Sequence, residues 1–373
     1  MRAVCARGHG LAALLAVAAA LLVGCGSDAP PPPTATFAGL GALPGYPYRT
    51  IPTGLSADGR VVIGTSTGPA GQEQAFRWRA DTGMVGLGFL PGGTRSRAAA
   101  VSADGDRVLV DGDAVDAEGP RGSVVARWQA DGGWQRIAPL NDSTLCTAGG
   151  LSGDATIAAG SCLIAGGNAA FRATVGGATA GLPGLGAGSS SFSIVSAVSQ
   201  DGSVVAGSSG RTVNQLSGIL WRADGSRSVP YPPAALERSS VSGVSRDGAV
   251  AVGGIADGDA PYRAYRWTEP DGPVPLAASA LDLVESNAAA VSGSGGTIVG
   301  TLRSAAGTSA MIWDASRGMR RLETMLADDH RTVIPGWSLS AATAISDDGR
   351  TIAGQGIGPA GVIEGWIVRL PPD

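Results

Sequence analysis

The sequence predicts an all-β chain folded as a seven-bladed β-propeller with four-stranded blades. Three observations lead there: a Ser-x-Asp-Gly motif that recurs down the chain, a tryptophan-ended strand after most copies, and an N-terminal segment that duplicates part of the first repeat.

The motif comes first because a fixed period is the signature of a repeat architecture. It reads Ser56-Ala57-Asp58-Gly59, Ser102-Ala103-Asp104-Gly105, Ser152-Gly153-Asp154-Ala155 and Ser199-Gln200-Asp201-Gly202. Further copies are Ser245-Arg246-Asp247-Gly248, Ser292-Gly293-Ser294-Gly295 and Ser346-Asp347-Asp348-Gly349. A glycine stands eight residues after the serine in every copy but the second, which reads as having two extra residues before Gly112. The serines lie 46, 50, 47, 46, 47 and 54 residues apart.

Each copy predicts four short strands. The first is rich in small residues and ends at the serine, as in Ala98-Ala99-Ala100-Val101-Ser102. Asp-Gly supplies the turn, since glycine accepts positive φ and aspartate bonds nearby backbone. The second is a run such as Arg60–Ile63, and the third ends at Trp78, Trp128, Trp221, Trp267 or Trp313, with Ala173 and Val368 in the remaining two copies. The fourth is clearest at Met84–Leu90. Four strands in a unit of about 40–50 residues describe a propeller blade.

Closure is also predicted. The seventh copy has three strands, Ala341–Ile345, Thr351–Ala353 and Gly365–Leu370, before the sequence stops. Gly39-Leu40-Gly41-Ala42-Leu43-Pro44-Gly45 nearly repeats Gly86-Leu87-Gly88-Phe89-Leu90-Pro91-Gly92 from the first. The N-terminal strand should therefore pair into the last blade and close the ring, removing an open sheet edge.

With an Ala75–Trp78 strand and a Leu87–Gly92 stretch, the chain resembles the extracellular HAF-repeat family. Leu322–Leu326, a short Leu-rich turn, then Gly336-Trp337 and Ile345–Gly349 are similar to that family's terminal repeat. The resemblance covers most of residues 37–373 and implies the repeat fold without implying an activity.

Residues 1–24 read as an export signal. Arg2 and Arg7 precede the apolar run Leu11–Val23, which is shorter than the roughly 20 residues of a spanning helix. Leu22-Val23-Gly24-Cys25 resembles the lipobox of bacterial lipoprotein precursors, which implies lipidation of Cys25. Residues 25–36 then form a tether whose Pro30–Pro33 run favours extended polyproline II. Gly26 in place of aspartate points to the outer membrane of a cell with two membranes. The propeller domain is expected over residues 37–373.

Composition limits the partners. Without the leader, 349 residues remain, with 25 basic side chains, all arginine, against 31 acidic ones. A net charge of −6 opposes nucleic-acid binding, so no nucleic-acid partner is expected.

No catalytic, cofactor-binding or metal site is expected, and no cofactor. His330, in Asp328-Asp329-His330-Arg331, is the one histidine outside the leader, too few for a Ser-His-Asp site or an imidazole zinc site. It falls in the longest insertion and is expected in a solvated loop. The motif aspartates stand one per blade, about a blade-width apart, and stabilise turns rather than share an ion. The tryptophans are expected to pack between blades. Strands Ser96–Ser102, Ser190–Ser199, Ser239–Ser245, Ser286–Ser292 and Ser338–Ser346 are expected near the axis, where small side chains serve packing. Cys146 and Cys162 lie six residues before and ten after Ser152, so a bulged Gly153-Asp154-Ala155 loop sets the thiols opposite one another. In an oxidising compartment a disulfide is expected; a pair of buried free thiols is the alternative.

These readings give a non-catalytic, lipid-anchored binding or scaffolding monomer at the bacterial envelope. It would touch protein or glycan partners through its loops and the membrane through Cys25. A carbohydrate-active lyase or glycosidase is one alternative. It would need facing carboxylates, for which Asp282, Glu285, Glu323 and Asp328 are candidates. A role in outer-membrane protein assembly, resting on fold and location alone, is the other.

Overall fold

A computed structural model describes residues 34–372 apart from 117–118, 186–190, 213, 231–236, 259 and 278–281. The leader and Cys25 lie outside the described residues. Among the described residues, 28 strands form seven four-stranded blades in sequence order. Blades 1 to 6 span 49–86, 96–136, 146–181, 191–228, 237–275 and 283–321. Blade 7 takes three strands from 338–369, and its outermost is Thr36–Gly41, antiparallel to Ile363–Arg369 with Thr36 opposite Arg369. The ring is closed by the N-terminal strand, as the duplicated segment predicts. The duplicates share a backbone as well as a sequence. Gly41 and Gly88 both have positive φ, 72° and 76°, and Leu40, Leu43, Leu87 and Leu90 are all buried.

The motif builds the same turn seven times. In six copies the serine hydroxyl donates to the aspartate, as in Ser56 Oγ to Asp58 Oδ1 at 2.6 Å and Ser199 Oγ to Asp201 Oδ1 at 2.6 Å. The same hydroxyl accepts the N–H five residues on, Val61 in the first copy and Val204 in the fourth, at 2.9 Å. The aspartate accepts the N–H two residues further along, closing an Asx turn. Blade 6 keeps the arrangement with Ser294 in the aspartate's place. All seven serines are buried. In blade 3, Ala155 stands where the other copies have glycine and is held at φ 59°.

Three residues before each serine the innermost pair of strands skips a residue, for example between Pro52 and Gly54, or Val195 and Ala197. The skipped residues are small because the next blade is close: a Cβ on Gly149 would lie 2.7 Å from the Val195 carbonyl oxygen. Past this bulge, the motif's later glycine faces a large side chain on the third strand. Gly64 pairs with Phe76, Gly160 with Phe171, Gly253 with Tyr265 and Gly354 with Trp366. The second copy has no extra residues. Its register matches the others, Val110 stands in the glycine's place, and the partner shrinks to Ala126. Volume is exchanged across the pair, which core packing requires.

The third-strand tryptophans fill junctions with the preceding blade. Trp78 packs with Leu40 and Ile367, and Trp221 with Ala159 and Val195. At Val368 this filler is missing, and the insertion before blade 7 replaces it. That insertion is a helix, α1 (Leu322–His330), where the sequence suggested a short turn and a solvated loop. Helix formation follows from what it buries: Leu322, Met325 and Leu326 enter the junction core beside Ile352 and Trp366, each contributing about 1.5–3 kcal/mol. The fourth strand of blade 1 is shorter than expected, Gly83–Gly86, because the chain turns away at Gly88.

Two outcomes test the turn. Ser199→Ala strands a buried N–H at Val204 and should cost about 1–3 kcal/mol by urea unfolding. The second concerns pH. Asp58, Asp104, Asp154, Asp201 and Asp247 all titrate below the usual aspartate range. At Asp58, Asp104 and Asp201 partial burial raises the pKa but is outweighed by the serine and backbone hydrogen bonds. At Asp154 the Ser152 hydroxyl is the largest influence, and at Asp247 the Ala249 amide. A lowered folded pKa contributes stability that is present above the unfolded value, about 3.9, and lost as pH falls through the folded values. Thermal midpoints should therefore drop below about pH 4, and replacing these aspartates by asparagine should flatten that drop.

Candidate functional site

The residue between serine and aspartate in each motif sits at the rim of the axial channel. Four are small: Ala57, Ala103, Gly153 and Gly293. Three are not. Gln200 of blade 4, Arg246 of blade 5 and Asp347 of blade 7 converge on an axial cavity of about 180 Å³ that all seven innermost strands line. Gln200 Nε2 donates to Asp347 Oδ1 at 2.7 Å, and Arg246 Nε lies 3.4 Å from Asp347 Oδ2. The second contact is in ion-pair reach but long for a hydrogen bond, and Oδ2 is buried without a hydrogen-bond partner. Burial pushes the Asp347 pKa up; Arg246 pulls against it and Asp348 adds to it. The glycines make room, since a Cβ on Gly293 would sit 3.0 Å from the Asp347 carboxyl carbon and one on Gly153 3.0 Å from the Gln200 amide oxygen. This site is a carboxylate with one oxygen held by an amide and the other only loosely compensated.

A sequence reading of the motif by its fixed positions misses these three residues, because they occupy its variable one. The available signal was the contrast of Gln, Arg and Asp against Ala and Gly at the same place.

The carboxylates singled out from sequence are not brought together. Asp282 and Asp328 are exposed. Glu285 pairs with Arg303 at 2.8 Å, and Glu323 on α1 accepts the Leu339 N–H. His330 ends α1, beside a groove holding Asp314, Arg317, Arg320 and Asp329. There Arg320 reaches Asp314 at 3.0 Å and Asp329 at 2.6 Å, Arg317 also pairs with Asp329, and the network fastens the helix to blade 6. Among the described residues no three His, Cys, Asp or Glu side chains are grouped to hold a metal ion.

Cys146 and Cys162 are direct partners across the first two strands of blade 3, with Cα atoms 4.0 Å apart, and are joined as a disulfide. A second buried carboxylate, Asp111, lies on blade 2. Burial raises its pKa, partly offset by the Ala148 N–H and by Arg97 and Arg95.

No protein-family model matches the sequence, and no curated protein does. Among solved structures the chain is similar to oligogalacturonate lyase from Vibrio parahaemolyticus, with a TM-score of 0.57 and 11% identity over 91% of this chain and 97% of that one. It is similar to a prolyl endopeptidase, with a TM-score of 0.55 and 13% identity over 87% of this chain and 51% of that one. TolB from Acinetobacter baumannii gives a TM-score of 0.43 and 14% identity, covering 61% and 55%. The chain thus spans about half the length of TolB and of the prolyl endopeptidase. At these identities the likeness to the lyase and to the endopeptidase establishes the fold alone, a β-propeller.

Carbon-detected carboxyl NMR should find Asp347 titrating above an ordinary aspartate. Arg246→Ala should raise it further, since removing the cation removes the main offset to burial.

Proposed function

We propose that this chain is a non-catalytic binding module of the bacterial envelope, anchored by lipid on Cys25 and engaging a protein or glycan with its propeller. The observation that supports it best is the axial rim. Its three polar side chains are directed at one another, Gln200 and Arg246 both facing the Asp347 carboxylate. Asp347 Oδ2 remains as a buried acceptor for a donor group of the partner, a recognition element rather than a reaction centre. The apolar leader run and the Leu22-Val23-Gly24-Cys25 segment support the anchor.

The full chain, expressed with its leader in a two-membrane host, should incorporate labelled palmitate and lose the label in Cys25→Ser. Its purified partner should bind wild-type protein and fail to bind Asp347→Ala that melts normally. Turnover of oligogalacturonate or of a prolyl peptide, abolished by Asp347→Asn, would replace the binding reading with an enzymatic one.

A further inference from the structure

The repeat gives an internal standard for what a purely structural junction contains, and the junction between blades 2 and 3 departs from it in three places. The first is the filler. In blade 4, Trp221 closes its junction and donates its indole N–H to the Pro183 carbonyl at 2.8 Å. Blade 3 has Ala173 at the matching place, and the matching carbonyl, Ala138, receives the Thr179 hydroxyl at 2.7 Å. The other junction without a tryptophan, at Val368, is filled by α1. At Ala173, which is buried, the short turn Leu140–Asp142 packs only Leu140 against the same core.

The second departure is at the inter-blade bond. Six residues before the motif serine, Ser96, Ser239 and Ser286 each accept a backbone N–H from the preceding blade, at 3.0, 2.9 and 3.0 Å. Here that place holds Cys146, whose sulfur is bonded to Cys162. The third is the backbone. Gly92 has φ 72° where the segment after blade 1 turns; after blade 2 the turn runs through Asn141 at φ 51° and Asp142 at φ 53°. Asn and Asp are the side-chain-bearing residues that enter the left-handed region most readily, so the turn is kept while side chains replace glycine beside the junction.

Each departure places one residue, Ala138, Cys146 or Asp142, on the wall of a single cavity of about 420 Å³. Val125, Ile137, Pro139, Phe171 and Cys146 give it one apolar side, and Ser123, Arg136, Asp142 and Ser143 line it with polar groups. Ser123 is 7% exposed, and its Oγ is buried with no hydrogen-bond partner. A cavity in the size range of small-molecule sites, with an apolar side, a few polar groups and one unpaired buried hydroxyl, matches the make-up of a binding pocket.

We propose that this junction is a binding site for a small planar aromatic molecule carrying one N–H or O–H donor. The ring lies against Phe171 and Ile137, beside Ala138 at the place where Pro183 meets the indole of blade 4, and the donor meets Ser123 Oγ. The site is independent of the axial rim, so its success or failure leaves the reading of Asp347 untouched.

Indole itself is the probe, titrated into the full chain by calorimetry and followed by NMR. Saturable binding is expected, with nuclear Overhauser contacts from the ring to Phe171 and Ile137. Ser123→Ala should weaken it about fivefold, the loss of one hydrogen bond. Ala173→Trp should abolish it by supplying the missing indole, with a cooperative melt confirming that the variant folds. If Ala173→Trp does not fold, the contacts to Phe171 and Ile137 and the Ser123→Ala ratio decide the matter. No saturation at the solubility limit of indole, contacts to other residues, or unchanged binding in Ser123→Ala or a folded Ala173→Trp would each overturn the proposal.

Discussion

Around the channel rim a circle of backbone hydrogen bonds joins every blade to the next. Ala57 N–H donates to the Ala103 carbonyl, Ala103 to Gly153, and Gly153 to Gln200; Asp201 then donates to Arg246, Arg246 to Gly293, Gly293 to Asp347, and Asp347 back to Ala57. The seven distances run from 2.8 to 3.3 Å. Buried backbone groups must find partners, and here they find them only if all seven turns hold one conformation and stand at one spacing. The buried serine, the Asx aspartate, the bulge three residues earlier and the small side chains at the bulge are the local means of meeting that condition. The N-terminal strand meets it globally by completing the seventh blade.

Such a belt leaves little freedom for chemistry at the axis. Only the residue after the serine can vary, because its backbone makes the bond and its side chain is free to project. Gln200, Arg246 and Asp347 use that freedom on three of the seven blades and draw together over the channel. The second source of freedom is the junctions, where a filler side chain can be exchanged for something else. One exchange admits a charged, well-fastened helix at blades 6 and 7, and the other junction without a tryptophan, at blades 2 and 3, has a cavity beside it. Specialisation of this ring therefore appears where the repeat is broken, which is where a ligand-specific feature has to be sought.

Much of the architecture was legible because the turn imposes invariant residues. Serine, aspartate and glycine recur where geometry demands them, and the Gly39–Gly45 duplicate revealed the closing strand because its two copies share the same backbone. The failures have physical causes too. In the second copy Val110 replaces a glycine without any insertion, since Ala126 gives up the volume across the pair. The helix at Leu322–His330 is set by a junction lacking a tryptophan, a tertiary cause that local pattern does not carry. The axial trio was invisible because three residues 147 positions apart at most in sequence meet only when the ring closes.

Hydrogen exchange of the belt amides tests the account most directly. The N–H groups of Ala57, Ala103, Gly153, Arg246, Gly293 and Asp347 lie in turns, where exchange is ordinarily fast. If the belt holds the ring, all six should exchange together and only through global unfolding, with protection equal to the full unfolding free energy. Fast exchange typical of exposed turns, or rates that differ blade by blade, would show that each blade stands on its own and would contradict the account.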